Sequence, residues 1–109
     1  MKIYTWDEAK RQINLEKHGL DFADADEVLS SPYRLDVETI RNNELRIQSF
    51  AYSFGRLLVL SLAHTEREDH IRLISFRKAS KAEREAYYEY LQNYFEESTI
   101  NQKAITLSH

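Results

Sequence analysis

Ile71-Arg72-Leu73-Ile74-Ser75-Phe76-Arg77-Lys78-Ala79-Ser80-Lys81-Ala82-Glu83-Arg84-Glu85 joins a short apolar strand to a helix through a cluster of cations. Five of these fifteen residues are Arg or Lys, in a chain whose formal net charge is −3. Ser80-Lys81-Ala82-Glu83 has the S-x-x-E form of a capping box, in which the hydroxyl and the carboxylate each satisfy a free N–H of the first helical turn. Behind it Tyr87, Tyr90, Leu91, Tyr94 and Phe95 recur at the spacing of one helix face. Fixed positive charge at a strand-to-helix junction favours phosphate or another anion.

Working back from this junction, Leu57 to Ala63 is nearly continuous apolar and reads as a central strand covered on both faces. Leu45 to Tyr52 and Tyr33 to Ile40 read as strands, joined by a hairpin turn at Arg41-Asn42-Asn43-Glu44. Phe54-Gly55-Arg56 and the charged run Thr65 to Asp69 read as further turns. Phe22, Ala25, Val28 and Leu29 fall at helical spacing, and Ser30-Ser31-Pro32 ends that helix. Asp7 is a candidate N-cap for a helix over 8–18, with Gly19 as its left-handed terminator and Leu20 packing back on Leu15. Lys2 to Thr5 completes the order β-α-α-β-β-β-β-α. The expected fold is α+β: an antiparallel sheet of about four strands, two N-terminal helices and a C-terminal helix. Residues 1–97 form a single domain, and 98–109, which lack periodicity, form a loose tail.

The 109 residues suffice for one modest core. There is no cysteine, which excludes disulfides and thiolate metal sites and suits a reducing compartment. The N-terminus has no secretory h-region and no apolar run is long enough to span a membrane, so a soluble cytoplasmic protein is expected. A net charge of −3 argues against a protein that coats nucleic acid without specificity.

Arg grips phosphate oxygens with a planar, permanently charged fork. Arg77 and Arg72 are therefore the expected phosphate ligands, assisted by Lys78 and Lys81. Strand parity sets a condition. In a regular strand Arg72 points with Ile74 and Phe76, and Arg77 points with Leu73 and Ser75, so the two share a face only across a bulge or past the strand end. Glu83 is a candidate base beside the cations, although the capping box already accounts for it. Tyr87 could reach a leaving group with its hydroxyl, but its spacing places it in the core. His18 has a pKa suited to proton transfer and lies in the last turn of a helix. His64 ends the central strand. His64-Thr65-Glu66 echoes the zinc deaminases, but their second half needs cysteines. No metal-ligand spacing, Walker motif or dinucleotide fingerprint is present, and neither metal nor cofactor is expected.

Three segments carry a family resemblance. Trp6-Asp7-Glu8-Ala9-Lys10 with Asn14-Leu15-Glu16-Lys17-His18-Gly19-Leu20-Asp21-Phe22 resembles the W-D-x-x-K…N-x-x-K-H-G opening of the BrnT toxins. Gly55-Arg56-Leu57-Leu58-Val59 with His64-Thr65-Glu66-Arg67, and then Ile71 to Ala79, resemble that family's later segments in order, and Tyr87 matches the aromatic that follows. The resemblance covers about residues 4 to 90. It implies a RelE-like fold and a bacterial ribonuclease toxin of a type II toxin–antitoxin system. Such a toxin cleaves RNA, inhibits translation and growth, and forms a hetero-oligomer with a BrnA-like antitoxin, through which alone it meets DNA. The K-H-G match marks Lys17 and His18 for the site, and His64 is a further candidate from its place at the end of the central strand. Phe76 departs from the small residue usual in the family, and its ring is expected beside the site, where it narrows the site or changes substrate choice. An exposed aromatic of the last helix such as Tyr88 is an expected antitoxin contact.

Two rivals stand beside this reading. One is a non-catalytic module of the same fold that binds an antitoxin and helps repress its operon. The other is a free-standing DNA-binding protein, which would need a helix-turn-helix and a basic stripe that the chain lacks.

Overall fold

A computed structural model describes residues 2–107, with side chains described as far as residue 97. The elements are β1 (Ile3–Thr5), α1 (Glu8–His18), a 3-10 turn (Phe22–Asp24), α2 (Asp26–Leu29), β2 (Leu35–Arg41), β3 (Glu44–Ser53), β4 (Leu58–Glu66), β5 (His70–Lys78) and α3 (Lys81–Leu107). They build one five-stranded sheet in the order β1-β5-β4-β3-β2. Strands β2 to β5 form the expected antiparallel meander. The count of about four wholly antiparallel strands is corrected by β1, which pairs parallel to β5 from Ile3↔His70 to Thr5↔Arg72. A three-residue strand carries no pattern that names its partner, and the long connection to β5 permits parallel pairing.

Local chemistry sets the element ends. Asp7 accepts from the Lys10 N–H at 3.2 Å, and Gly19 closes α1 at φ 70° with its N–H on the Leu15 carbonyl at 2.8 Å. Asn42 and Asn43 turn the β2–β3 hairpin at φ 54° and 61°, a left-handed pair that asparagine tolerates. Leu57, read above as the first residue of the central strand, lies in the preceding turn at φ 61° and is exposed. The α3 backbone is helical to Leu107, past position 98 where the tail was expected to begin. No helix among the described residues is long and apolar enough to cross a membrane.

Apolar side chains divide between the two faces of the sheet. Leu20, Phe22, Val28, Leu60, Leu62, Leu73 and Phe76 pack under α1, the 3-10 turn and α2. Phe50, Val59, Ala79 and Tyr87 form a smaller core where α3 crosses the other face. The outer edge of β5 beyond its pairing with β1 is covered by one side chain. Asn14 of α1 donates to the Phe76 carbonyl at 2.8 Å and accepts from the Phe76 N–H at 3.0 Å, and it also donates to the Leu20 carbonyl at 3.0 Å. A buried amide thus takes the place of a missing strand, which satisfies groups that would otherwise be costly to bury.

One irregularity decides where the arginines point. On β5, Ser75 lies opposite Ala63 and Leu73 lies opposite His64, so Ile74 is an extra residue that bulges from the ladder. The bulge switches side-chain parity. Leu73 and Phe76 both enter the core under α1, and Arg72, Ser75 and Arg77 all emerge on the other face. The condition set by strand parity is met. The expected position of Phe76 is corrected too: alternation turns its ring away from Arg77, the bulge turns it away from Arg72 as well, and it is fully buried in the core without narrowing that face.

Candidate functional site

On the face opposite α1, at the end of the sheet that α3 leaves uncovered, lies a groove of about 440 Å³. Thr39 and Arg41 of β2, Arg46 and Gln48 of β3, Ala63 of β4 and Ser75 and Arg77 of β5 line it. The antiparallel register builds this lining. Thr39 pairs with Arg46, Gln48 with Ala63, and Ala63 with Ser75, so their side chains share one face in neighbouring rows.

Arg77 is held in a fork-to-fork pair. Its Nη1 and Nη2 donate to Oε1 and Oε2 of Glu83 at 2.7 and 2.9 Å. Glu83 also accepts from the Ser80 N–H at 2.8 Å and from Gln48 Nε2 at 3.2 Å, and the Ser80 hydroxyl accepts from the Glu83 N–H at 3.2 Å. The expected capping box therefore forms, and it doubles as the anchor of Arg77. The guanidinium is the first cause that drives the Glu83 carboxyl down to a pKa of about 2. A carboxylate so stabilised is a weak base near neutrality.

The other groove cations are less occupied. Arg46 meets Glu44 only at 3.6 Å, a carboxylate that Arg67 engages at 2.9 Å, and its buried Nε has no hydrogen-bond partner among the described residues. Arg41 and Arg72 make no ion pair among the described residues. Arg72 lies on the same face beside Arg46, in a small depression shared with Asp7 and Lys10.

His18 is exposed at the end of α1. Partial burial first, then the charges of Lys17 and Arg77, lower its pKa, so the ring is neutral at physiological pH. Lys17, Lys78 and Lys81 are exposed and unpaired among the described residues. Lys78 pairs with Leu60 and so emerges on the helix side of the sheet.

Two expected ligands lie elsewhere. His64 is fully buried on the helix side, where its Nε2 meets Ser49 Oγ at 2.8 Å and Ser49 donates to Asp36 at 2.6 Å. The end of a strand is exposed only where the neighbouring strands stop, and here β3 continues beside it. Tyr87 is 1% exposed in the core beneath α3, and its hydroxyl accepts the Tyr52 N–H at 3.3 Å. Conversely, Arg41, Arg46 and Gln48 were not anticipated. The alternation along the β2–β3 hairpin carried the signal, but Arg41 read as a turn residue and nothing in sequence placed the hairpin beside Arg77. Among the described residues no three of His, Asp or Glu gather as a metal site.

Four arginines on one open sheet face, over amide and hydroxyl donors, make a surface whose chemistry suits a phosphate-bearing chain. The family comparison is more specific. Residues 6–83 match the model of the ribonuclease toxin, BrnT, of type II toxin-antitoxin systems, and the chain belongs to that family. The family is one of ribonucleases that have a protein antitoxin as partner. None of the curated proteins matches the chain.

The signature residues of the opening motif sort by role. Trp6 packs edge-on against Phe22 at 6.3 Å, Asp7 and Gly19 cap α1, Asn14 covers β5, and Asp21 holds Arg11 at 2.8 and 2.9 Å. These build the fold. Among the described residues the side chains of Lys10, Lys17 and His18 make no ion pair or hydrogen bond.

Proposed function

We propose that the chain is a metal-independent endoribonuclease toxin that grips RNA phosphates in the arginine groove and is held inactive by a BrnA-like antitoxin. The observation that carries this reading is the Ile74 bulge, which turns Arg72 to the same face as Arg77, Arg41 and Arg46. Arg41, Arg46 and Arg72 position the backbone, with Lys17 and Lys81 at the margin. Arg77 leans on the scissile phosphate, and Glu83 orients its fork. Neutral His18 takes the proton of the 2′-hydroxyl. The 2′-oxygen then bonds to phosphorus, and the guanidinium groups stabilise the charge that gathers on the phosphorane. The bond to the 5′-oxygen breaks, and the proton returns from the imidazolium to that oxygen. The products are a 2′,3′-cyclic phosphate and a 5′-hydroxyl. Loss of RNA stops translation and growth, and DNA is met only through the antitoxin.

One observation favours the non-catalytic rival: both Nη atoms of Arg77 are already filled by Glu83. Induced expression in a bacterium, with total RNA followed over the first minutes, separates the two. Wild type is expected to arrest growth and degrade RNA, and Arg77→Ala to lower cleavage at least about 100-fold. A folded wild-type protein that leaves RNA intact leaves only the binding module.

A further inference from the structure

A second groove, of about 450 Å³, lies on the same sheet face beyond the crossing of α3. Along β3 this face carries Arg46 and Gln48 in the first groove, Phe50 beneath Tyr87, and Tyr52 in the second. The second groove is lined mainly by aromatic side chains: Tyr33, Tyr52, Phe54, Tyr88 and Phe95, with Leu91. They are packed into a fixed surface, with ring centroids 5.0 Å apart for Tyr52–Phe54 and 5.5 Å for Tyr33–Phe95. Yet Phe54 is 83% exposed and Tyr88 and Phe95 are each 49% exposed. Clustered rings left in water at this level mark a contact surface rather than scattered exposure.

The charge around the groove says what covers it. Glu85, Glu89 and Glu96 lie on the α3 stripe next to Tyr88 and Phe95. All three are exposed and make no ion pair among the described residues. From Glu85 to Glu97 the helix carries four glutamates and no cation. Carboxylates at this density repel an RNA backbone, so the rings are not a stacking platform for the substrate. They suit a segment with apolar anchors flanked by Lys and Arg.

We infer that the cognate antitoxin docks in this aromatic groove, through apolar anchors flanked by basic side chains, at the end of the sheet remote from the arginines. The inference rests on the toxin–antitoxin reading above. Its test is calorimetric titration of the purified toxin with its cognate antitoxin, since binding is read whether or not the toxin cleaves RNA. Phe54→Glu with Tyr88→Glu is expected to weaken binding at least about 30-fold. Glu85→Lys, Glu89→Lys and Glu96→Lys together are expected to weaken it about tenfold, with loss of its salt dependence. Arg77→Ala is expected to leave the affinity unchanged. Phe54→Ala with Tyr88→Ala serves as a second pair if the glutamates disturb folding, which circular dichroism shows. Unchanged affinity in the groove variants overturns the docking site, and so does a wild-type chain that does not bind. Loss of affinity for a single-stranded RNA oligonucleotide in place of the antitoxin makes the rings a stacking site and also overturns it. An RNA-inactive wild type that still binds through the groove removes the catalytic reading and leaves the docking site standing.

Discussion

Glu83 shows how one residue can be legible in sequence and still change meaning in the fold. Its spacing from Ser80 announces a cap, and the cap forms, yet its carboxylate also fills the fork of Arg77. The role as general base and the role as anchor predict different outcomes for Glu83→Gln. Glutamine retains a capping box. Loss of an anchor charge is expected to keep RNA cleavage within about fivefold, whereas loss of a base would cost about 100-fold or more. The acid stability of the variant gives a second reading. The folded carboxyl titrates near 2 against an ordinary 4.5, so its stabilisation is complete above pH 4.5 and is lost as pH falls toward 2. Urea unfolding at pH 7 and pH 3 is expected to show wild type losing up to about 2 kcal/mol that Glu83→Gln does not lose. His64 is a contrasting case. Ser49 has one hydroxyl proton and gives it to Asp36, so the serine oxygen must accept from His64, which fixes the Nε2–H tautomer. The buried Nδ1 then has no partner, and desolvation keeps the ring neutral.

At the scale of elements, the half of β5 not paired with β1 depends on α1 for its edge. Sequence put Asn14 in a motif but gave no reason for an asparagine there, because the reason is a main-chain N–H and C=O sixty-two residues away. Asn14→Ala leaves both groups of Phe76 buried and unpaired, which costs about 2–4 kcal/mol. In a domain of this size the melting temperature is expected to fall by about 10–20 °C. A fall of only a degree or two would mean that water replaces the amide and that α1 is not tied to the sheet through this residue. The bulge on β5 belongs to the same scale. Its parity switch puts Phe76 in the core and Arg77 in the groove, although a regular strand starting from Ile71 would have reversed both.

Over the described molecule, the charges that lack an ion-pair partner differ between the two ends of one sheet face. Arginines from three strands gather at one end, and the glutamates of α3 flank the aromatic groove at the other. On the proposed reading, this arrangement lets a chain of net charge −3 hold RNA. Binding to a single-stranded oligonucleotide is expected to fall with salt on a log–log slope of about −2 to −3, the value for three or four neutralised phosphates. Arg41→Ala is expected to shrink that slope by about 0.7, because among the described residues Arg41 has no carboxylate to return to. A slope that does not change places the RNA backbone away from β2.

The sequence by itself determined α1 with its caps, the start of α3 with the capping box at Ser80 and Glu83, the meander and the family, because each is written in residues close together in the chain. Spacing, turn residues and caps act over a few positions, and a local signal is sufficient to read them. Tertiary structure alone decided that β1 runs parallel to β5, that Ile74 bulges, that His64 and Tyr87 are buried, and that Arg41 and Arg46 stand beside Arg77. Each of those depends on which strand lies alongside which, a pairing set by burial of the whole sheet rather than by any neighbour in sequence.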